Sequence, residues 1–235
     1  MKILLVGLLL ISTLFANEYY AKIEPIQSYV IKAATSGEVI YTNEAIEGEF
    51  AQNSVIVELD SAVDRVDLEQ TQNKLALFKQ MIEIEHNNYE RLKKVTTRSD
   101  FDKDSQLLKS LNLQSTQADL HIKIAQLQKS IANKKLIEKN RYIYSISVKK
   151  GDYVNAGTLL YEAKDLSKGK VELFVPITEA ATLMSKQIFI NNEAITSKIH
   201  KIYKVADAKN ISAYKVEIIM DEPKAFSSLV KIEFK

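Results

Sequence analysis

The sequence predicts an α+β protein in which a long antiparallel α-helical hairpin is inserted into a small β domain, with a second small β domain after it. Three observations lead to that class. From residue 49 to residue 150 there is neither glycine nor proline, although Gly37, Gly48, Gly151 and Gly157 crowd the two flanks. These residues punctuate turns and break helices, so the gap reads as helix and its flanks as turn-rich strands. Apolar residues inside the gap keep a seven-residue period, and the two flanks repeat one another.

The chain begins with a segment that reads as a secretory signal peptide, residues 1–16. Lys2 is a short basic stretch, Ile3 to Phe15 is apolar, and Ala16 offers a small residue for cleavage. About 14 apolar residues at 1.5 Å each reach roughly 21 Å, short of the ~30 Å hydrocarbon core, which favours a cleaved leader over a membrane anchor.

The first helix shows a coiled-coil seam. Leu68, Leu75, Ile82 and Tyr89 recur every seven residues, Phe78 and Leu92 occupy neighbouring seam positions, and Thr71 and Glu85 interrupt it. Beyond the polar segment 95–104 a second stripe follows, with Leu113, Leu120, Ile124, Leu127 and Ile131. Ser61 with Asp64, and Ser99 with Asp102, have the spacing of a capping box. The helices are therefore expected from about Ala62 to Val95 and from about Asp100 to Lys139, with the reversal near Thr96 to Ser99. A connection this short makes them antiparallel neighbours.

The flanks form an internal repeat. Aligning Gly48 with Gly151 pairs Glu49 with Asp152, Phe50 with Tyr153, Ala51 with Val154, Gln52 with Asn155, Ile56 with Leu159 and Val57 with Leu160. Each copy is too short to bury a face alone, so the halves are expected to close on one another and set the helices at their base. Residues 170–235 then alternate in "KVELFVPI", "KIHKIYKV", "AYKVEIIM" and "LVKIEF", which argues four or more strands.

The segments "SGEVIYTNEAIEGEFAQNSVIVELD" and "VKKGDYVNAGTLLYEAKDL" resemble the two split halves of the lipoyl-like domain of periplasmic adaptors, the membrane fusion proteins of tripartite efflux and secretion systems. The resemblance covers the chain from about Tyr29 to its end. The second half has "EKNRYIYSI" where the family usually has Pro and Gly, so its first strand is expected to be shortened. What the resemblance implies is an elongated molecule in five parts: a signal peptide (1–16), an N-terminal segment with the first lipoyl-like half (17–61), the α-helical hairpin (62–139), the second half (140–167) and a β-barrel-like domain (168–235). It also implies that the further membrane-proximal domain of larger members is missing.

Function follows from the same resemblance. Adaptors that dock on a TolC-like outer-membrane channel carry arginine, leucine and serine at the hairpin tip, and the matching positions are Asn88, Leu92 and Ser99, with asparagine replacing the arginine. Leu92 as a seam residue and Ser99 as an N-cap have structural readings as well. The implied role is a periplasmic adaptor, held at the inner membrane by its transporter partner. It would oligomerise, as a hexamer in the family, and bridge an inner-membrane transporter of the RND type to the channel. An adaptor of an ATP-driven exporter and a structural coiled-coil envelope protein are the alternatives.

Composition agrees with a binding role. With 32 basic and 30 acidic side chains the net charge of +2 provides no field for nucleic acid. The chain has no cysteine, which excludes disulfides and thiolate metal sites. His86, His121 and His200 are isolated, Met81, Met184 and Met220 are scattered, and no nucleophile elbow, phosphate loop or dinucleotide fingerprint occurs. No enzymatic activity and no cofactor are expected.

Overall fold

The computed structural model describes residues 17–235, and the leader read at residues 1–16 lies outside the described residues. In chain order the elements are β1 (Glu18–Lys32), β2 (Gly37–Thr42), β3 (Phe50–Leu59), α1 (Ala62–Lys93), α2 (Asp100–Asn133), β4 (Lys135–Ile146), β5 (Tyr153–Val154), β6 (Leu159–Pro176), α3 (Ile177–Ala180), β7 (Ile188–Ile190), β8 (Glu193–Ala194), β9 (Ile199–Ile202), β10 (Ala213–Asp221) and β11 (Leu229–Phe234). They fall into two compact units: Tyr29–Ala163, and the chain up to Ser28 together with Lys164–Lys235.

In the first unit β5, β2, β3 and β4 pair in that order, all antiparallel. The sequence repeat is visible in its hydrogen bonds. Val39 donates to Asp152 and accepts from Gly151, both at 2.8 Å, while Ile143 donates to Glu49 at 3.0 Å and accepts from Gly48 at 2.8 Å. Each half thus inserts one apolar strand residue beneath the glycine turn of the other. Both glycines need the left-handed backbone, with φ of 85° at Gly48 and 94° at Gly151, where a side chain would be strained. Repeat partners share their surroundings too: Ala51 and Val154 are buried, as are Val57 and Leu160, while Phe50 and Tyr153 are exposed. Val39, Ile56, Leu59, Ile143 and Tyr161 complete this core.

One charged group lies inside it. Glu138 of β4 is buried, accepts from the Tyr161 hydroxyl at 2.9 Å, and is held by Arg141 through contacts of 3.0 and 3.2 Å. The Arg141 guanidinium in turn lies 3.7 Å from the centre of the Tyr29 ring. Burial, with the neighbouring Glu138 charge second, pushes the Tyr161 hydroxyl well above its ordinary range.

α1 and α2 run antiparallel. Near the β strands Asp64 meets Lys134 at 2.6 Å and Ser130 at 3.5 Å, and nearer the far end Glu85 accepts from Gln106. Along α1 a stripe turned from solvent runs through Asp64, Leu68, Thr71, Leu75, Phe78, Ile82, Glu85, Tyr89 and Leu92, alternating threes and fours, with Glu90 half-covered beside it. Leu120, Leu127 and Ser110 are the buried residues of α2.

Four expectations need correction here. α2 stops at Asn133 rather than near Lys139, and β4 occupies 12 residues, so the strand is not shortened. Ser61 makes no side-chain cap on α1. Asp60 does so instead, accepting from the Ala62 amide at 2.8 Å, while Ser61 accepts from the Arg65 guanidinium and Asp64 faces Lys134. Finally, the start of β1 pairs with β11, from Glu18 opposite Glu233 to Lys22 opposite Leu229, and so belongs to the second unit rather than with residues 29–61.

The second unit contains two antiparallel arrays, β1–β11–β7–β8 and β6–β10–β9. Its core holds Ile23, Val171, Leu173, Val175, Leu183, Val216, Ile218, Ile232 and Phe234. Asn191 and Asn192, with φ of 50° and 71°, form the tight β7–β8 turn, a conformation asparagine tolerates better than most side chains. On the polar face Lys215 bridges Glu172 at 3.6 Å and Glu217 at 3.2 Å, and the Tyr203 hydroxyl donates to Glu217 at 2.8 Å. Burial alone would raise the Glu217 carboxyl, but the bonds from Tyr203 and Lys215 outweigh it and hold the group below the usual carboxylate range.

Candidate docking site where α1 turns into α2

Asn88 and Leu92 stand one helical turn apart near the end of α1, and Ser99 is the residue from which α2 starts. Asn88 is exposed and Leu92 is half-buried on the seam. α1 closes with the Lys94 amide bonded to Arg91 at 3.2 Å and the Val95 amide to Leu92 at 3.0 Å, after which the chain reverses through Thr96, Thr97 and Arg98. Ser99 is extended, and its hydroxyl accepts from the Asp102 amide at 3.2 Å. The second capping box is thus half made: the serine caps, while Asp102 turns to Arg98 at 3.9 Å.

The charges at this turn follow the helix ends. Arg91, Lys93 and Lys94 surround the carbonyl end of α1, and Asp100 and Asp102 surround the amide end of α2, where each sign is favourable. The ion pairs among them, Lys93 with Glu90 at 4.0 Å and Lys103 with Asp100 at 3.3 Å, each involve an exposed partner and contribute little. They shape a surface more than they stabilise it.

Phe101 is the residue sequence reasoning missed. It lies two positions after Ser99 and is 80% exposed, an aromatic ring standing in water beside the turn. Its signal was available: seam positions on α2 run through Ser110, Leu113, Leu120 and Leu127, and Phe101 falls out of that phase. Asn88, Ser99 and Phe101 are therefore open to solvent, with Leu92 partly covered between the helices. Such a surface can hydrogen-bond and pack against a partner; it holds no acid–base pair. Among the described residues no three of His, Cys, Asp and Glu gather as a metal site, and His86, His121 and His200 are each exposed.

The membrane fusion protein Spr0693 of Streptococcus pneumoniae superimposes with a TM-score of 0.70 over 94% of this chain and 99% of its own, at 12% identity. A MacA–MexA chimera containing the Pseudomonas aeruginosa MexA α-hairpin domain gives 0.67 over 94% and 81%, at 16% identity. The chain has the membrane fusion protein fold. MacA from Actinobacillus actinomycetemcomitans, another protein of this fold, also gives 0.67, over 94% of this chain and 79% of its own, at 16% identity. No family model and no curated protein matches the sequence. Likeness to the membrane fusion proteins is therefore carried by the fold, at identities of 12% to 16%.

Proposed function

We propose that this chain is a periplasmic adaptor subunit of a tripartite efflux pump. It assembles as a homo-oligomer, a hexamer, that bridges an inner-membrane transporter of the RND type to a TolC-like outer-membrane channel. The observation that carries the proposal is the fold: 94% of the chain superimposes on a membrane fusion protein, helices and both β units included. In this reading the lipoyl-like halves lie within residues 29–61 and 134–163, the coiled-coil hairpin is residues 62–133, and the β-barrel-like part is residues 18–28 together with 164–235. The role is mechanical and non-catalytic; the transporter supplies the energy and the adaptor aligns and seals the conduit.

Asn88, Leu92 and Ser99 form the proposed channel-docking surface, with Phe101 beside them. Support comes from their position at the reversal and from the exposure of all but Leu92. The test uses the absence of native cysteine. Asn88→Cys and Ser99→Cys, each carrying a heterobifunctional crosslinker, are expected to capture an outer-membrane channel in cells. Capture only of other copies of this chain would instead favour a structural coiled-coil protein of the envelope.

A further inference from the structure

In the second unit the end formed by the close of β6, the start of β10 and α3 carries aliphatic side chains that stand exposed among the described residues. Val205 is 83% exposed and Ile211 is 77% exposed, and Ile177 stands nearby, its amide donating to Ser212 at 3.1 Å. The loop that presents Val205 and Ile211 has a defined shape. Asp207 accepts from the amides of Asn210 at 2.7 Å and Lys209 at 2.9 Å, closing a turn between the two aliphatic residues. Lys204 and Lys209 flank them, both exposed, with no salt bridge within 4 Å among the described residues, although the Lys209 charge helps, after the bond from the Asn210 amide, to lower the Asp207 carboxyl. Of the acids at this end, Asp207 accepts within its own turn, and Glu179 accepts from the Tyr19 hydroxyl at 2.8 Å and from the Asn17 side-chain amide.

Asn17, the first described residue, is bonded to Glu179 of α3 at this same end of the unit. Isolated branched aliphatics with lysines beside them differ from a protein hot spot, which clusters aromatic residues and arginine in a packed pocket. They match instead an interfacial contact, in which apolar tips enter the acyl boundary and lysines reach the phosphates.

We propose that this end of the unit sits in the surface of a phospholipid bilayer with anionic headgroups, with Val205 and Ile211 entering the acyl boundary and Lys204 and Lys209 on the headgroup phosphates. The contact is independent of any transporter.

The absence of native cysteine makes the test direct. In the full chain, Val205→Cys, Ile211→Cys and Leu229→Cys each accept one environment-sensitive fluorophore; Leu229 is 69% exposed but pairs with Lys22, at the other end of the β1–β11 ladder. With phosphatidylglycerol–phosphatidylcholine vesicles, labels at 205 and 211 are expected to shift to the blue and to be quenched by nitroxide-bearing lipid, while the label at 229 does neither. Lys204→Gln with Lys209→Gln should weaken binding to the anionic vesicles about 25-fold, roughly fivefold per lysine, and leave binding to pure phosphatidylcholine unchanged. Equal responses at 205, 211 and 229 overturn the proposal, as does a blue shift without vesicles, which would mean that the apolar run or a second copy covers the patch. Unchanged binding of the double lysine variant to anionic vesicles also overturns it.

Discussion

The helix pair and the β3–β4 ribbon from which it springs are contiguous in sequence, yet they bury their side chains to different degrees. Around the ribbon Ile56, Val57, Leu59, Ile143 and Leu160 are wholly enclosed. Along α1 only Leu75 is buried, and the seam admits Thr71 and Glu85, with Gln106 and Ser110 opposite in α2. Val63, Val66, Leu77, Met81 and Ile84 are exposed on the outer side of α1, with Leu108, Leu111 and Ile122 exposed on α2. The ribbon closes a core of its own, though Phe50, Ile137 and Tyr144 stay exposed on it, whereas the helices leave apolar residues exposed along their length and bury few. Stability is concentrated at the base and availability along the arms.

The sharpest way to break this contrast is a pair of truncations. Ile143→Ala should cost about 3–4 kcal/mol in denaturant unfolding, with Leu75→Ala costing about 2 because its seam is already half-open; equal losses would abolish the distinction. Next, Glu138→Ala leaves the Tyr161 hydroxyl and Arg141 without their acceptor and should lose about 2–3 kcal/mol, detectable as a lowered melting temperature. Asp64→Asn weakens the 2.6 Å contact with Lys134 and should lose about 1 kcal/mol, read as faster amide exchange in the last turn of α2 with the β core unchanged. Ser99→Ala removes the α2 cap for about 1 kcal/mol of local helix stability, raising exchange at Asp102 while global unfolding barely moves.

The last effect shows itself only as a pH dependence above about pH 10. Burial, aided by the bond to Glu179, pushes the Tyr19 hydroxyl up to about 12. Raised above its unfolded value of about 10, the group favours the folded state fully below pH ~10, and that contribution is lost as pH rises towards 12. Alkaline melting curves of the second unit should therefore flatten in Tyr19→Phe.

Much of this was legible in the residues, and the failures have physical causes. The heptad phase placed Leu68, Leu75, Ile82 and Tyr89 on the inner face of α1, because a period of three and four survives isolated polar substitutions. The close of α2 was hidden by β4 itself. Its inward positions are the charged Glu138 and, five residues on, Ile143, and between them Asn140 takes a left-handed φ of 58° that bulges the strand and shifts the alternation. An apolar/polar pattern cannot announce a strand in which one of two buried residues is an acid and whose register slips between them. At the turn, Ser99 was readable as a cap, but its spacing could not decide between cap and docking contact. Phe101 went unnoticed because attention to the seam discards whatever lies outside it.

The Leu59 amide donates to the Lys134 carbonyl at 2.7 Å, so the two ends of the helix pair meet within a single hydrogen bond. Closure entropy grows only logarithmically with the chain between two contacts, and here that chain is folded back on itself. The base therefore registers where the arms leave and return, and nothing of how far they reach. Whole heptads could be added to or taken from both arms together with the lower unit unchanged, which makes reach a quantity that evolution, or an engineer, can set independently of the fold.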